Sequence, residues 1–210
     1  MYLPDHFNET DQQRFAALIR DFGFATLIST TPDGPQVTHA PIQMDGKRGI
    51  LIGHMARANP HAAALIDGAS MLVIIHGPHA YISPTWYLDE NARVPNVPTW
   101  NYAVVHITGT VTRIDDDAAK WKIVSDLAAQ YEAGSAAPWD PRGLEAHAGK
   151  LHAIVGFEIS IEKIEAKFKL SQNRSVADQE KVAAKLATSD ASEVRATGTL
   201  MQENLARVTS

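Results

Sequence analysis

The sequence contains no cysteine among its 210 residues. Disulfide bridges, thiolate nucleophiles and cysteine-based zinc sites are therefore excluded. The absence also suits a reducing compartment, so we expect a cytoplasmic protein.

Long apolar segments are missing as well. The longest apolar runs, such as Met71 to Ile75, are far shorter than the roughly 20 residues that a membrane-spanning helix needs. The first residues, Met1 to His6, show neither the basic stretch nor the apolar stretch of a signal peptide. We therefore expect no membrane partner.

Basic residues are fewer than acidic ones, 19 against 24. The formal net charge is -5, whereas a protein that grips DNA through its phosphates usually carries a basic surface. Residues 163–185 are mildly basic, with six basic side chains against three acidic ones. A DNA or regulatory partner is one interpretation of this stretch, and a solvated helix face explains it equally well.

The common catalytic and nucleotide-binding motifs are absent too. The sequence has no His-Glu-x-x-His, Gly-x-Ser-x-Gly, Walker A or Gly-x-Gly-x-x-Gly pattern. The nine histidines do not fall at spacings that build a zinc site, so we expect no metal. The residues leave open whether the protein is an enzyme, and if it is, a cofactor carries the chemistry.

What is present is the pattern of a mainly β protein. Alternating and β-branched segments predict strands over residues 24–30, 37–42, 50–54, 70–76, 81–82, 100–114 and 154–161. Gly77-Pro78 is expected to end the fourth of them. The early strands lack helical crossovers, so we expect an antiparallel sheet of six or seven strands that closes into a small barrel.

Helices flank this sheet. Helical spacing predicts segments over residues 10–22 and 115–132, a short helix from Asn59 to about Gly68, and two helices after Asn173. The stripe expected to face the core in the 115–132 helix consists of Ala118, Trp121, Val124, Leu127, Ala128 and Tyr131. Loops are expected over residues 87–98 and 134–143. We expect a barrel domain over residues 1–173 with a helical extension over 174–210 packed on it.

Three segments carry candidate ligand chemistry. Residues 53–61 join a strand to a helix start, where free N–H groups attract anions and Arg57 adds a guanidinium fork. Residues 79–87 and 97–102 concentrate tryptophan and tyrosine beside polar groups, which suits a flat aromatic ligand. Residues 167–174 place two lysines on one face and two side-chain amides beside them, which suits a pyrimidine edge. Each segment also has a purely structural interpretation: a solvated arginine, an aromatic interface or core corner, and a helix-entry turn.

Taken together, these segments resemble a known family, the PaiB-type FMN-binding negative transcriptional regulators of the FMN-binding split-barrel superfamily. The matching pieces are Met1-Tyr2-Leu3-Pro4-Asp5-His6-Phe7, Gly53-His54-Met55-Ala56-Arg57-Ala58-Asn59-Pro60, His79-Ala80-Tyr81-Ile82-Ser83-Pro84-Thr85-Trp86-Tyr87, Val97-Pro98-Thr99-Trp100-Asn101-Tyr102 and Lys169-Leu170-Ser171-Gln172-Asn173-Arg174. They follow the family's order over nearly the whole chain.

The resemblance implies a split-barrel homodimer with FMN at the interface between subunits. It implies that the phosphate binds near His54, Arg57 and Asn59, and that His39, on the adjacent strand, lies near the isoalloxazine ring or the ribityl chain. The predicted ring wall consists of Trp86, Trp100, Asn101 and Tyr102, from either subunit. Lys169, Gln172 and Asn173 are expected near the pocket mouth or the pyrimidine edge of the ring. The superfamily's Ser-Arg-Lys phosphate motif is replaced here by Ala56-Arg57-Ala58.

Two other functions fit the sequence. One is an FMN-dependent oxidoreductase or flavin reductase that acts on a small molecule. The other is haem binding through a histidine, which related split barrels perform.

Overall fold

The computed structural model describes residues 1–87, 97–139 and 148–209. Residues 88–96 and 140–143 of the two predicted loops lie outside the described residues. Within the described part of the chain the strands are β1 Phe24–Thr31, β2 Gly34–Asp45, β3 Ile50–Ala56, β4 Ser70–Ile82, β5 Thr99–Ile114 and β6 Ile154–Lys169.

The strands form one sheet in the order β1-β2-β3-β6-β5-β4, and β4 pairs back on β1 so that the sheet closes into a barrel. The pairs β1/β2, β2/β3, β3/β6 and β1/β4 are antiparallel. The register places Thr26 opposite His39 and His54 opposite Gly156. The prediction of a mainly antiparallel barrel with flanking helices is therefore confirmed.

The helices are α1 Gln12–Asp21, α2 Asp117–Glu132, α3 Ala148–Leu151, α4 Val176–Ala187 and α5 Ser192–Thr209. Asp116 caps α2 and Ser175 caps α4, each accepting a backbone N–H with its side chain, as acidic and hydroxyl residues do at helix starts. The helix predicted from Asn59 to about Gly68 was too long. It is a 3-10 turn over Pro60–Ala64, capped by Asn59.

The prediction that a strand ends at Gly77-Pro78 was wrong, because β4 continues through both residues to Ile82. Gly77 and Pro78 are both buried, and the alternation of buried positions shifts by one residue there. A shift of this kind is typical of a β-bulge, where the missing N–H of a proline is tolerated.

The apolar stripe predicted for α2 was also partly wrong. The buried residues of this helix are Lys120, Ile123 and Leu127, whereas Tyr131 is exposed. Lys120 is buried because its ammonium group donates to the carbonyl of Leu151 and pairs with the carboxylate of Asp117. A lysine whose ammonium group is paired in this way can be buried, although its residue type alone predicts that it is exposed.

The chain divides into two compact units. Unit 1 contains residues 1–11, 76–105 and 165–210, and unit 2 contains residues 12–75 and 106–164. The division predicted at residue 173 stays a prediction.

Each unit has its own core. In unit 1 the core includes Phe168, Leu170, Val182, Leu186 and Met201. The contact between α4 and α5 is close there, since a Cβ atom at Gly198 would lie 3.0 Å from the Cβ of Leu186. In unit 2 the core includes Leu27, Ile42, Leu51, Val73, Ile107 and Phe157.

Two features are absent from the described part of the chain. It holds no helix long and apolar enough to cross a membrane. It also holds no group of three or more histidine, aspartate and glutamate side chains that could hold a metal ion.

Candidate functional site

A pocket of about 420 Å³ lies in unit 1 against the outer face of β5. Trp100 and Tyr102 of β5 line it, together with His76, Gly77 and His79 of β4. The alternation of β5 turns Trp100 and Tyr102 to the same side, and Trp100 remains 52% exposed. Two of the predicted ring-wall residues are thus brought together in one cavity.

Trp100 is the centre of a small aromatic cluster. The imidazole of His79 lies 5.8 Å from the indole, centroid to centroid, and Tyr81 approaches it edge-on at 6.1 Å. These separations are in the range of favourable aromatic pairs. The cluster leaves an indole face exposed beside the pocket, and such a face can stack on a planar ligand.

His76 and His79 were missed as pocket residues by the sequence reasoning. A plain strand turns residues three apart to opposite faces. Because the alternation shifts at Gly77-Pro78, both histidines are exposed on the outer side of β4. A β-bulge assigned to Gly77-Pro78 would have predicted that His76 and His79 face the same side of β4.

Two lysines of β6 lie next to these aromatic residues. The Lys169 ammonium donates to the Thr99 hydroxyl and to the Trp100 carbonyl, both at 2.6 Å. Lys167 is 7% exposed, and its ammonium donates to the Tyr2 carbonyl at 3.0 Å. The Lys167 nitrogen also lies 5.6 Å from the centre of the Tyr102 ring, a cation–π separation.

These two ammonium groups have no carboxylate partner among the residues that the structure describes. Burial lowers the pKa of Lys169, and the positive charges of Lys167 and Arg174 lower it further. An anion bound here would offset both effects. We call Lys167 and Lys169 the uncompensated lysines.

The turn after β6 holds the predicted amides, but they are used internally. Ser171 has a φ of 68°, a left-handed conformation that costs energy for a residue other than glycine. The Gln172 side chain accepts from the Leu170 N–H at 2.7 Å and donates to the Phe168 carbonyl at 2.5 Å. These bonds brace the turn.

Asn101 faces the other way from Trp100 and Tyr102. It is fully buried, and its amide nitrogen donates to the Ser171 hydroxyl at 2.9 Å and to the Met201 sulfur at 3.2 Å. The structure therefore places it behind the pocket wall. Asn173 is exposed, and Trp86 lies half-buried in the 3-10 turn Pro84–Trp86.

The predicted phosphate residues belong to unit 2. The Arg57 guanidinium donates to the carbonyls of His152 and Ile154 and to the Asp115 carboxylate, at 2.9, 3.1 and 2.8 Å. Hydrogen bonds from Arg113 and from Arg57 lower the pKa of Asp115 to about 2. Arg57 therefore keeps one nitrogen, Nη1, that makes no hydrogen bond within the described residues.

His54 lies on the outer side of β3, opposite Gly156. Burial lowers its pKa, and its Nδ1 is buried without a hydrogen-bond partner in the part of the chain that the structure describes. His39 is exposed on β2, and its Nδ1 lies 3.1 Å from the Thr26 hydroxyl. The exposed His39 keeps a second ring nitrogen that a ligand could use, whereas the unpartnered Nδ1 of His54 is buried.

Asn59 joins a polar network rather than facing solvent. Its amide donates to the Thr38 hydroxyl at 2.9 Å, and its oxygen accepts from the His61 N–H at 3.0 Å. His61 is 1% exposed, and its two ring nitrogens lie 2.9 Å from the hydroxyls of Thr38 and Ser29.

Unit 2 also has a larger open groove of about 790 Å³, lined by residues of β2, β3 and α2. The charged side chains on its rim are largely paired with each other: Arg48 with Glu158, and Lys122 with Asp126. The groove holds none of the aromatic residues that the sequence predicted around a flat ligand.

The family model described as "Putative FMN-binding domain" matches residues 1–163. The chain belongs to this family. FMN is therefore the cofactor of the domain, as predicted.

Relatives of this FMN-binding chain extend over nearly its whole length. It is 32% identical over 209 residues to the protease synthase and sporulation protein PAI 2 of Bacillus subtilis, covering 98% of each chain. It is 29% identical over 222 residues to an uncharacterized protein of Emericella nidulans, covering 87% of this chain and 88% of that one. The PaiB-type resemblance is thereby confirmed.

Solved structures show the same fold. The FAD and heme binding protein of Mycobacterium smegmatis superimposes with a TM-score of 0.61 at 20% identity, covering 84% of this chain and 79% of that one. The flavocytochrome Anf3 of Azotobacter vinelandii gives 0.60 at 18% identity, covering 77% and 69%. At these identities the likeness concerns the fold alone.

The residues present fit FMN on physical grounds. The cofactor has a planar ring system and a dianionic phosphate. The chain offers an exposed indole in a pocket of suitable size, and two lysines that have no carboxylate partner in the described part of the chain. Trp100 and Tyr102 could hold the ring. Lys169 and the free nitrogen of Arg57 could each bind a negatively charged group.

Proposed function

We propose that this protein is a homodimer that holds FMN at the interface of its subunits, with the isoalloxazine ring in the unit 1 pocket. The observation that carries the proposal is that the exposed Trp100 and its neighbour Tyr102 lie beside the uncompensated lysines: the Lys169 ammonium donates to the Trp100 carbonyl, and the Lys167 nitrogen lies 5.6 Å from the centre of the Tyr102 ring. An aromatic platform beside unpaired positive charge suits a ligand that is both planar and anionic. When bound, FMN supplies the electron-transfer chemistry that the protein's own side chains lack.

The roles within the site follow from the contacts. Trp100 stacks on the ring and Tyr102 closes the pocket beside it. The Lys169 ammonium, with one N–H left after its bonds to Thr99 and Trp100, stabilises negative charge at the pyrimidine edge. In unit 2, the Nη1 group of Arg57 is a donor for a phosphate, and His54 and His39 are further candidates there. Asn101 and Gln172 brace the site from behind.

The dimer proposal rests on an apolar outer surface of unit 2. Phe24 is 67% exposed and Val37 is 55% exposed, and the strand register sets Ile28 and Ile74 on the same face. Exposed apolar side chains on adjoining strands are typical of a protein interface. We assign this face to contact with a second copy of the chain. Replacing Val37 by lysine should raise the dimer dissociation constant at least tenfold by sedimentation, whereas lysine at Val176, exposed on α4, should not.

The first test is an FMN titration of the purified protein, followed by flavin absorbance and fluorescence. Trp100→Ala should weaken binding at least tenfold, because a stacking contact is lost. Arg57→Ala should weaken it by only about three- to tenfold, because the guanidinium charge is already partly neutralised by Asp115. Trp139→Ala provides the matched control, since Trp139 is an exposed tryptophan that does not line the pocket.

Two results would contradict the proposal. No flavin uptake at high micromolar FMN would remove the cofactor site altogether. Equal weakening by Trp100→Ala and Trp139→Ala would show that the pocket does not hold the ring.

The uncompensated lysines also favour an FMN-dependent oxidoreductase, because positive charge near the ring stabilises the reduced cofactor. Bleaching of the bound flavin by a reduced nicotinamide, at a rate useful for turnover, tests this function. The regulator role of the PaiB type stays a prediction, which a salt-dependent DNA affinity in the micromolar range or better would support. The cytoplasmic location and the haem alternative stay predictions too.

A further inference from the structure

One contact in the pocket wall joins His79 of β4 to Glu193 of α5. The Nδ1 atom of His79 lies 2.8 Å from a carboxylate oxygen of Glu193, which is on α5. His79 lines the pocket, and its ring packs beside the Trp100 indole. Glu193 thus reaches a pocket residue that lies 114 positions earlier in the sequence.

The contact fixes which nitrogen of His79 carries hydrogen. A carboxylate only accepts, so the hydrogen-bonded Nδ1 must be protonated. In the neutral ring the lone pair is then on Nε2. Within the described residues no hydrogen bond occupies Nε2. The pocket therefore contains an acceptor whose orientation is held by a second residue, as carboxylates hold histidines in many sites.

We propose that Nε2 of His79 accepts a hydrogen bond from an in-plane N–H of the planar ligand that stacks on Trp100, with Glu193 as the positioning residue. The ligand class is a heteroaromatic ring with an imide-type N–H. This inference rests on the proposed FMN site, since the oxidised isoalloxazine ring carries a single N–H, at N3. His79 then distinguishes such rings from analogues that lack the N–H.

His76 is the matched control. It lines the same pocket from the same strand, but no carboxylate within the described residues fixes its tautomer. The inference therefore predicts selectivity from His79 and none from His76.

The test measures the dissociation constants of FMN and of N3-methyl FMN at pH 8, above the ordinary titration range of histidine. The wild-type protein should bind FMN about three- to tenfold more tightly, the ratio that one hydrogen bond supplies. His79→Phe keeps an aromatic ring but has no acceptor, so both ligands should bind it equally. His76→Phe should keep the wild-type ratio.

The outcomes separate the two proposals. If the wild type binds neither ligand, the proposed function and this inference both fail. If the wild type binds FMN but binds the methylated form equally well, or if the ratio survives in His79→Phe, only this inference is overturned.

The role of Glu193 is read without flavin, from the ¹⁵N chemical shifts of the His79 ring. The wild type should show hydrogen on Nδ1, and Glu193→Ala should lose that preference. Glu193→Gln should retain it, because the amide oxygen can still accept. Glu203→Ala, at an exposed position of the same helix, should change nothing. Hydrogen on Nε2 in the wild type would overturn the inference.

Discussion

Each unit of this protein has a pair of neighbouring cations, but among the described residues only the pair in unit 2 shares a carboxylate. There, Arg57 and Arg113 share the carboxylate of Asp115. In unit 1, Lys167 and Lys169 are bonded to carbonyl and hydroxyl groups, with no carboxylate partner within the described residues. A carboxylate that two arginines share neutralises their charge and stabilises the fold. Positive charge without such a partner raises the free energy of the ligand-free protein and can bind an anionic ligand.

The largest expected effect comes from removing an uncompensated charge. Lys169→Ala should weaken FMN binding by about ten- to a hundredfold, because a charge-assisted contact is worth roughly 1.5–3 kcal/mol. Fluorescence titration at low and high salt measures it, and the salt dependence should decrease in the variant. Lys181→Ala, an exposed lysine on α4, is the control. An unchanged affinity in Lys169→Ala would show that Lys169 only stabilises the start of β5 through its bonds to Thr99 and Trp100 and does not contact FMN.

A smaller effect is expected from removing the carboxylate of unit 2. Asp115→Asn should strengthen FMN binding about two- to fivefold, because Arg57 loses a neutralising partner, and should lower stability by at most ~1 kcal/mol, since the pair is exposed. Titration and chemical unfolding measure the two changes. Weaker binding would mean that Asp115 orients Arg57 for the ligand rather than competing with it.

Acid unfolding provides a further check on the same variant. The folded pKa of Asp115 is about 2, below its ordinary value, so its pairing stabilises the fold above about pH 4 and is lost as the pH falls toward 2. Asp115→Asn should therefore lose less stability than the wild type over that interval.

The smallest effect concerns the buried histidine of unit 2. Burial lowers the pKa of His61, so the neutral ring is favoured in the fold and its contribution is fully present above about pH 6.5. As the pH falls below that value the unfolded chain binds the proton first, and stability decreases. His61→Gln should be less stable than the wild type at pH 8, and the difference should shrink by pH 5. A constant difference in unfolding free energy would contradict this.

The elements of the barrel were predictable because their signals are local. Asp116 before α2 and Ser175 before α4 are ordinary helix caps, and the meander from Phe24 to Ala56 follows alternation and turn residues. The path of β4 could not be predicted, because Gly-Pro occurs both in turns and in β-bulges, and the sequence does not show whether the strand ends or continues there. Burial distinguishes the two.

The residues of the candidate site also differ in whether a local sequence signal predicts them. Trp100 and Tyr102 were found by composition, since aromatic residues are concentrated in one segment. Glu193 carries no local signal, because its contact with His79 depends on how α5 packs within unit 1. The internal use of Gln172 and Asn101 was equally invisible, because a side-chain amide in the sequence does not reveal its partner.

Because β4 contains an extra residue at Gly77-Pro78, the orientation of the side chains that follow depends on the number of residues there more than on their identity. A substitution there changes one side chain, but deleting one residue would exchange the faces of the rest of the strand. Ala80 and Ile82 would turn outward, and His79 and Tyr81 would turn toward the core. Insertions and deletions at this point should therefore be far rarer among functional variants than point mutations.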